Sequence, residues 1–308
     1  MGRKEKDKEL ALAKLNDKVI PINKPKGVST YDCVRKLKRT YPFSRIGHAG
    51  SLDPLATGLV LILTGQATKL SSYIMDLPKK YRAVVKLGER TDTQDATGKV
   101  TERGEWKHVS EEDLRKVLTR FVGKREQLPP MYSALKHRGV PLYVLARRGE
   151  EVKRNPRVVE TYRLELENFN PPFFEIKVHC SRGLYLRVLA EEIGDTLGVP
   201  SHLYSLVREE IGHFKLDDAV SIDEVERLLD MENPGFTLSE AMKHLKEVEL
   251  TDAEVRRLKN GIPPKFDPVS RGNLTPGSMV RLTLPDKSLG AIAEVRSPGD
   301  VRLRRVFI

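Results

Sequence analysis

A single aspartate, Asp53, stands among small residues in segment 44–70, SRIGHAGSLDPLATGLVLILTGQATKL. Pro54 removes a backbone donor and biases Asp53 away from helix, while the surrounding glycines let the main chain pass close to a ligand. A carboxylate held on such a loop can act as a nucleophile or a general base. The same residues also fit a plain Asp-Pro turn, and a loop histidine such as His48 is more often a bystander than a ligand. The local pattern leaves both interpretations open.

The elements that must position this loop follow from hydrophobic periodicity and capping residues. The apolar run 59–63, closed by Gly65, predicts a buried strand that anchors the loop against the core. Strands are also predicted at 18–22, 79–88, 157–169 and 173–181, the last two joined by a turn at Asn170-Pro171-Pro172. Helices are predicted at about 30–39, 66–75, 110–121 and 182–198, and the pairs Ser221/Glu224 and Thr251/Glu254 predict capping boxes that open helices at 222–229 and before Gly261.

The charge balance indicates a polyanionic partner. The 308 residues carry a formal net charge of +11, with a sequence pI near 9.5, which favours nucleic acid first and an anionic membrane surface second. Lys24 and Lys26, in the turn NKPKG, could reach phosphate. The predicted helix at 30–39 carries four basic residues, a pattern that fits either a solvated face or an RNA contact.

Several classes of protein and site are not expected. No apolar run approaches the roughly 20 residues that span a bilayer, and the N-terminus lacks the apolar segment of a signal peptide, so we expect a soluble, cytoplasmic protein. Cys33 and Cys180 are too few for a disulfide framework and are expected to be reduced core thiols. The segment TDTQDATG, with Asp92 and Asp95, lacks the spacing and terminal glutamate of a calcium loop. With no phosphate-binding or dinucleotide motif either, we predict no metal and no cofactor.

Five blocks in this chain resemble, in the same order, the TruB family of tRNA pseudouridine synthases. They are NKPKGVST, IGHAGSLDPLATGLVLILTGQATKL, KKYRAVVKLGERTDTQDATG, PPMYSALKHRGVPLYVLARRG and CSRGLYLRVLAEEIG, which together with the flanking residues span about 19–212. The resemblance implies an enzyme that flips uridine 55 out of the tRNA T-loop, breaks its C1'–N1 bond and rejoins the base through C5. It also implies that Asp53 is the catalytic aspartate.

The resemblance assigns further roles. Tyr81 matches the active-site tyrosine that stacks on the target base and is implicated in proton transfer, whereas a strand tyrosine read alone is most often packing. Arg187 matches a buried arginine that pairs with the catalytic aspartate. His48 would fill the space that displaced nucleotides leave, and Leu206 would pack against the base. The remaining candidates for RNA contact are Lys24, Lys69, Lys136, Tyr185 and Arg208, with Lys69 either structural or directed at phosphate.

The implied architecture is α+β, with a catalytic domain built on a mixed, mainly antiparallel sheet with flanking helices. We predict a charged tail at 1–18, the catalytic domain at 19–246 and a small β-rich domain at 247–308, similar to the PUA-type RNA-binding module. We expect a monomer that needs tRNA and no protein partner. Two alternatives remain, namely a guide-RNA-dependent pseudouridine synthase and a tRNA-binding folding chaperone without turnover.

Overall fold

The computed structural model describes residues 13–265, 274–297 and 300–308. The strands are, in chain order, β1 (Val19–Lys24), β2 (Ile46–His48), β3 (Thr57–Thr64), β4 (Lys79–Leu87), β5 (Glu89–Thr91), β6 (Val100–Arg103), β7 (Gly123–Gln127), β8 (Lys136–His137), β9 (Val140–Pro141), β10 (Arg157–Asn170), β11 (Phe173–Cys180), β12 (Ser201–Ile211), β13 (Phe214–Lys215), β14 (Val220–Ser221), β15 (Lys246–Glu249), β16 (Met279–Thr283), β17 (Leu289–Ser297) and β18 (Asp300–Val306). The helices are α1 (Thr30–Thr40), α2 (Ser71–Met75), α3 (Glu111–Thr119), α4 (Leu142–Arg147), α5 (Leu186–Leu197), α6 (Leu238–Ala241) and α7 (Asp252–Lys259).

A ten-stranded mixed sheet dominates the described part of the chain. Its strands follow the order β14-β1-β3-β12-β4-β11-β10-β7, with β13 added to β12 and β2 added to β3. Only the pairs β1–β14 and β3–β12 are parallel. The expected mixed, mainly antiparallel sheet with flanking helices is confirmed. This order places β12, from the second half of the domain, beside the strand β3 that follows the Asp53 loop.

A second sheet forms the C-terminal part of the chain, in the order β15-β16-β17-β18. It has its own apolar core, in which Val248, Leu282 and Ala293 are buried. Its residues Leu289, Ile292 and Phe307 also join the apolar cluster of the large domain. The predicted β-rich C-terminal part is therefore present, and it packs against the domain of the large sheet. Its first strand begins at Lys246, one residue before the predicted boundary.

Helix boundaries agree with the capping signals in three places and differ from the prediction in three others, one of which is the helix predicted at 182–198, which begins only at Leu186. Ser29, Ser110 and Thr251 cap α1, α3 and α7, each within a complete capping box. The helix predicted at 66–75 is instead a 3-10 helix, Gly65–Leu70, followed by α2. The helix predicted at 222–229 is a kinked 3-10 segment, in which Ser221 accepts a hydrogen bond from the Asp223 N–H and Glu224 has non-helical φ and ψ.

The end of the predicted N-terminal tail belongs to the domain. Leu15 is fully buried in the main core, and the Lys14 ammonium donates to the Leu229 carbonyl at 2.6 Å. Residues 13–18 of the predicted charged tail are thus part of the domain, because an apolar side chain anchors them. Residues 1–12 lie outside the described part of the chain.

One surface of the large sheet is covered by ion pairs between neighbouring strands. Lys80 pairs with Glu210 at 2.8 Å, and Lys177 pairs with Glu167 at 2.7 Å. Because alternate strand residues point to opposite faces, these charges lie opposite the buried core positions such as Ala83. Across residues 13–265, 274–297 and 300–308, no helix has the length and apolar character needed to cross a membrane.

Candidate active site

A buried arginine holds the loop that carries Asp53. Arg208 on β12 is 2% exposed. Its Nε donates to the carbonyl of Leu59 at 2.7 Å, and its two terminal nitrogens donate to the carbonyls of Ser51 at 3.1 Å and Gly50 at 3.3 Å. The rigid guanidinium therefore satisfies main-chain acceptors on both sides of Asp53. Arg208 is a positioning residue in this structure, and its side chain is not available to RNA phosphate.

Two other buried side chains fix the same loop. The Thr30 hydroxyl accepts from the Leu52 N–H at 2.9 Å. The Lys24 ammonium is fully buried, and burial lowers its pKa to about 8. It donates to the carbonyls of Pro25, Val28 and Ala56. The prediction that Lys24 reaches phosphate is therefore wrong, because its three donors are already used inside the protein.

The main-chain geometry at position 58, just after the Asp53 loop, requires a glycine. The φ of Gly58 is +103°, and a Cβ at this position would lie 2.4 Å from the Arg208 carbonyl oxygen. Any side chain would both strain the main chain and separate β3 from β12. The close approach keeps Arg208 within reach of the Asp53 loop.

Asp53 and Arg187 form an ion pair at the surface of the core. Arg187, the second residue of α5, has a side chain that is 5% exposed, whereas the Asp53 side chain is 44% exposed. Arg187 Nε donates to Asp53 Oδ2 at 2.8 Å, and its terminal nitrogens donate to the carbonyls of Thr93 at 3.2 Å and Tyr132 at 2.7 Å. The expected pairing is present. It presents an oriented carboxylate to solvent, with the opposite charge behind it.

A second carboxylate faces the same arginine. Asp95 Oδ2 lies 3.9 Å from Arg187 Nε, and the Asp95 side chain is 8% exposed. Its other oxygen accepts from the Thr93 hydroxyl at 2.8 Å and from the Thr97 N–H at 2.9 Å. Arg187 therefore lies between two carboxylates, of which only Asp53 is open to a substrate.

Tyr81 and Leu206 lie on one face of neighbouring strands. The register places Tyr81 opposite Arg208 and Leu206 opposite Ala83, so Tyr81 and Leu206 are diagonal neighbours. Burial raises the pKa of Tyr81, with nearby Asp53 acting in the same direction and Arg208 opposing it. Tyr81 is thus a neutral phenol within electrostatic range of Asp53, on an apolar floor that suits a planar base.

His48 and Tyr185 border this group. The His48 ring is half-buried, and its Nδ1 is buried with no hydrogen-bond partner among the described residues. Burial, followed by the nearby charge of Arg208, lowers the His48 pKa, so the ring is neutral near pH 7. Burial raises the pKa of Tyr185, and both Arg187 and Asp53 are close enough to influence it. The structure therefore places Tyr185 within electrostatic range of Asp53, and His48 within range of Arg208, which holds the Asp53 loop.

Lys69 and Lys136 lie elsewhere. Lys69 Nζ donates to the carbonyl of Val306 at 2.9 Å and to Gln66 Oε1 at 2.8 Å, and it lies 5.4 Å from the centre of the Phe307 ring. Of the two roles predicted for Lys69, these contacts favour the structural one, at the junction with the C-terminal sheet. Lys136 is exposed on the β8–β9 hairpin.

Comparison with known proteins identifies the family. A model of the TruB family pseudouridylate synthase (N terminal domain) matches residues 38–186. A tRNA pseudouridine synthase B of Geotalea uraniireducens (strain Rf4) is 40% identical over 303 residues, which cover 94% of this chain and 97% of that relative. The chain belongs to the TruB family. Another relative, the tRNA pseudouridine synthase B of Bordetella avium (strain 197N), is 45% identical over 226 residues, 73% of this chain and 93% of its own length.

Solved structures share the fold of this chain. The chain aligns with a chain of "Crystal Structure of a Cbf5-Nop10-Gar1 Complex" at a TM-score of 0.74 and 22% identity, covering 95% of this chain and 85% of that one. A chain of "Structure of H/ACA RNP bound to a substrate RNA containing 2'-deoxyuridine" aligns at a TM-score of 0.72 and 20% identity, with the same coverage. At these identities the likeness concerns the fold alone.

Sequence reasoning about this TruB family chain missed three residues that shape the site. Thr30 was considered only as the first residue of a predicted helix, Asp95 only as part of a segment rejected as a calcium loop, and Gln127 was given no role. Thr30 contacts Leu52, Asp95 contacts Arg187 and Gln127 contacts Tyr185, and each partner lies in a segment distant along the chain. No local pattern signals such contacts. Among the described residues, no group of three or more His, Cys, Asp or Glu side chains is placed to hold a metal ion.

Proposed function

We propose that this chain is a tRNA pseudouridine synthase that isomerises uridine 55 of the T-loop to pseudouridine. The observation that carries the proposal is the half-exposed Asp53 carboxylate, held by the buried Arg187 at 2.8 Å beside the Tyr81–Leu206 surface. The near full-length similarity to relatives named tRNA pseudouridine synthase B supports tRNA as the substrate.

In the proposed reaction the glycosidic C1'–N1 bond breaks, the uracil turns, and a C1'–C5 bond forms. Asp53 starts the reaction, either as a nucleophile toward the sugar or the base or by removing a sugar proton. The proton at C5 then leaves, and N1 of the product carries a proton. Arg187 keeps Asp53 oriented throughout. Atoms and electrons balance without an oxidant, a reductant or a cofactor.

The target base must leave the RNA stack before Asp53 can reach it. Unstacking costs a few kcal/mol, which contacts with the protein must offset. We assign Tyr81 and Leu206 to the two faces of the flipped base. His48 is assigned to the space that displaced nucleotides leave, because its half-buried, neutral ring can stack without adding charge.

The rest of the molecule supplies proposed contacts to the phosphate backbone. Lys38 and Arg39 on α1 and Lys136 on the β8–β9 hairpin are exposed, and none of them forms an ion pair with another described residue. We further propose that the C-terminal sheet acts as a PUA-like RNA-binding module and that the protein works alone in the cytoplasm, as a monomer.

The test is tritium release from tRNA labelled at C5 of uridine, with the purified protein and no other component. Wild type should release tritium from T-loop uridine 55, and Asp53→Asn should release none while binding tRNA within a few-fold of wild type, because the change leaves the proposed phosphate contacts intact. Loss of release when position 55 is replaced by cytidine would fix the site. Tight tRNA binding without release by wild type would refute the proposal and favour guide dependence or a binding-only role.

A further inference from the structure

The inference concerns Gln127, the last residue of the edge strand β7, which is 2% exposed. Its side-chain amide forms two hydrogen bonds with the main chain of Tyr185. Oε1 accepts from the Tyr185 N–H at 2.8 Å, and Nε2 donates to the Tyr185 carbonyl at 3.3 Å. Only a carboxamide carries a donor and an acceptor in this arrangement, so Gln127 pairs with Tyr185 as a neighbouring strand would.

Tyr185 occupies a sensitive place in the fold. It is the N-cap residue of α5, and no side-chain hydrogen bond caps that helix. Its carbonyl also accepts the helical hydrogen bond from the Leu189 N–H at 3.0 Å. The position of the Tyr185 main chain therefore sets the first turn of α5, and Arg187 lies in that turn.

We propose that Gln127 is a positioning residue for the reaction at Asp53. By fixing the main chain of Tyr185, it directs the guanidinium of Arg187 toward the Asp53 carboxylate. This inference rests on the proposed function and adds to it a residue that does not touch Asp53.

The connection runs through one segment of chain. Tyr132, whose carbonyl accepts from Arg187 at 2.7 Å, follows Gln127 by five residues. Gln127 thus fixes the start of segment 127–132, and at the end of this segment the Tyr132 carbonyl accepts from a terminal nitrogen of Arg187. The same amide therefore constrains both the main chain from which Arg187 extends and one of its hydrogen-bond acceptors.

The rest of α5 does not depend on the two hydrogen bonds between Gln127 and Tyr185. Leu189 and Ile193 are fully buried in the main core and hold the body of the helix. Removing the amide should therefore loosen the first turn while the domain stays folded. A misplacement of about 1 Å at a reacting group can cost about 100-fold in rate.

The experiment measures single-turnover tritium release at saturating tRNA, together with tRNA affinity. Gln127→Met, of similar size but unable to hydrogen-bond, should lower the rate about 10- to 100-fold while tRNA affinity stays within about threefold. The matched control is Gln66→Met, which removes another hydrogen bond from a glutamine to a main-chain carbonyl, that of Phe307 at 3.1 Å, and should keep the wild-type rate.

A double variant separates positioning from general loosening. If Gln127 acts through Arg187, Gln127→Met should change the rate of Arg187→Lys by no more than about threefold, because coupled changes are not additive. An equal loss in both backgrounds, or a wild-type rate for Gln127→Met, would overturn the inference. If Gln127→Met does not fold, Gln127→Glu takes its place, since it keeps an acceptor for the Tyr185 N–H and replaces the donor with a carboxylate oxygen that repels the Tyr185 carbonyl. A wild type that releases no tritium would instead refute the proposed function.

Discussion

At the scale of single residues, Arg187 has the most demanding geometry. Its guanidinium serves Asp53 and the carbonyls of Thr93 and Tyr132 at once. A lysine keeps the charge, but its ammonium cannot match three acceptors in a planar fork. Arg187→Lys should therefore lower single-turnover tritium release at least about 100-fold, with tRNA affinity within a few-fold of wild type.

The matched control for this prediction is Arg82→Lys. Arg82 is half-exposed on the opposite face of the sheet, where it pairs with Glu209 at 2.5 Å. This variant makes the same chemical change away from Asp53 and should keep the wild-type rate, since exposed ion pairs contribute little. Equal losses in the two variants would show that the effect is not specific to the pairing with Asp53.

Whether the role of a single residue could be predicted depended on how far along the chain its contacts lie. The resemblance identified both Asp53 and Arg187, so their pairing was expected, and the two residues do form an ion pair. Lys24 and Arg208 were expected to face RNA and are instead buried against carbonyls. A lysine or arginine in a polar segment gives no local sign that the fold will enclose it, so their structural roles could not be predicted.

At the scale of elements, alternation and capping residues predicted the long strands β1, β3, β4, β10 and β11 and most helices, but not the central strand β12 or the edge strand β7. Two predicted helices, at 66–75 and 222–229, contain 3-10 segments, and the helix predicted at 182–198 begins only at Leu186. The two 3-10 segments have apolar spacings that an α-helix would also satisfy. In the first of them the Gln66 side chain donates to the Phe307 carbonyl, a contact with a distant segment that the local pattern does not signal.

Helix α1 provides a prediction about RNA contact. Lys38 and Arg39 are exposed in its last turn and unpaired within the described structure, whereas Lys80 and Lys177 on the sheet are each ion-paired. If α1 contacts phosphates, Lys38→Gln/Arg39→Gln should weaken tRNA binding and flatten the slope of log K against log salt by about 1 to 2.

The double variant Lys80→Gln/Lys177→Gln is the control, because it changes the net charge by the same amount. It should leave the slope close to that of wild type. Identical slopes for the two double variants would mean that net charge alone acts, and α1 would then be a solvated face.

At the scale of the whole molecule, the two sheets are joined through a residue that the sequence suggested for RNA. Lys69 bonds to Val306 on β18 and lies against Phe307. Lys69→Met should lower the free energy of unfolding by about 1–2 kcal/mol, since it removes a charged hydrogen bond at the junction. Denaturant unfolding measures this change, and tritium release at saturating tRNA should remain near wild type.

Lys136→Met is the complementary variant. Lys136 is exposed and unpaired in the described part of the chain, so this change should leave stability unchanged and weaken tRNA binding. If Lys69→Met weakens tRNA binding as strongly as Lys136→Met without any loss of stability, the structural assignment of Lys69 is wrong.

The stability of the whole molecule should also depend on pH through His213. Its ring packs on Phe214, with ring centroids 4.1 Å apart, and the His244 ring lies 6.1 Å away. Burial, with further contributions from Lys243 and His244, lowers the His213 pKa to about 4. The folded state therefore binds this proton less readily than the unfolded state, whose pKa is near 6.5. The stabilisation is complete above about pH 6.5 and is lost as the pH falls toward 4.

The measurement is the free energy of unfolding at pH 7 and pH 5.5, a window above the range in which carboxylates titrate. Between pH 7 and pH 5.5 the free energy of unfolding of wild type should fall by about 1 kcal/mol through His213. The decrease in His213→Gln should be smaller by about this amount, because glutamine does not titrate. His108→Gln, at an exposed position, is the matched control and should keep the wild-type difference. An unchanged difference in His213→Gln would mean that other groups carry the pH dependence, among them His244, whose pKa burial and Arg281 also lower.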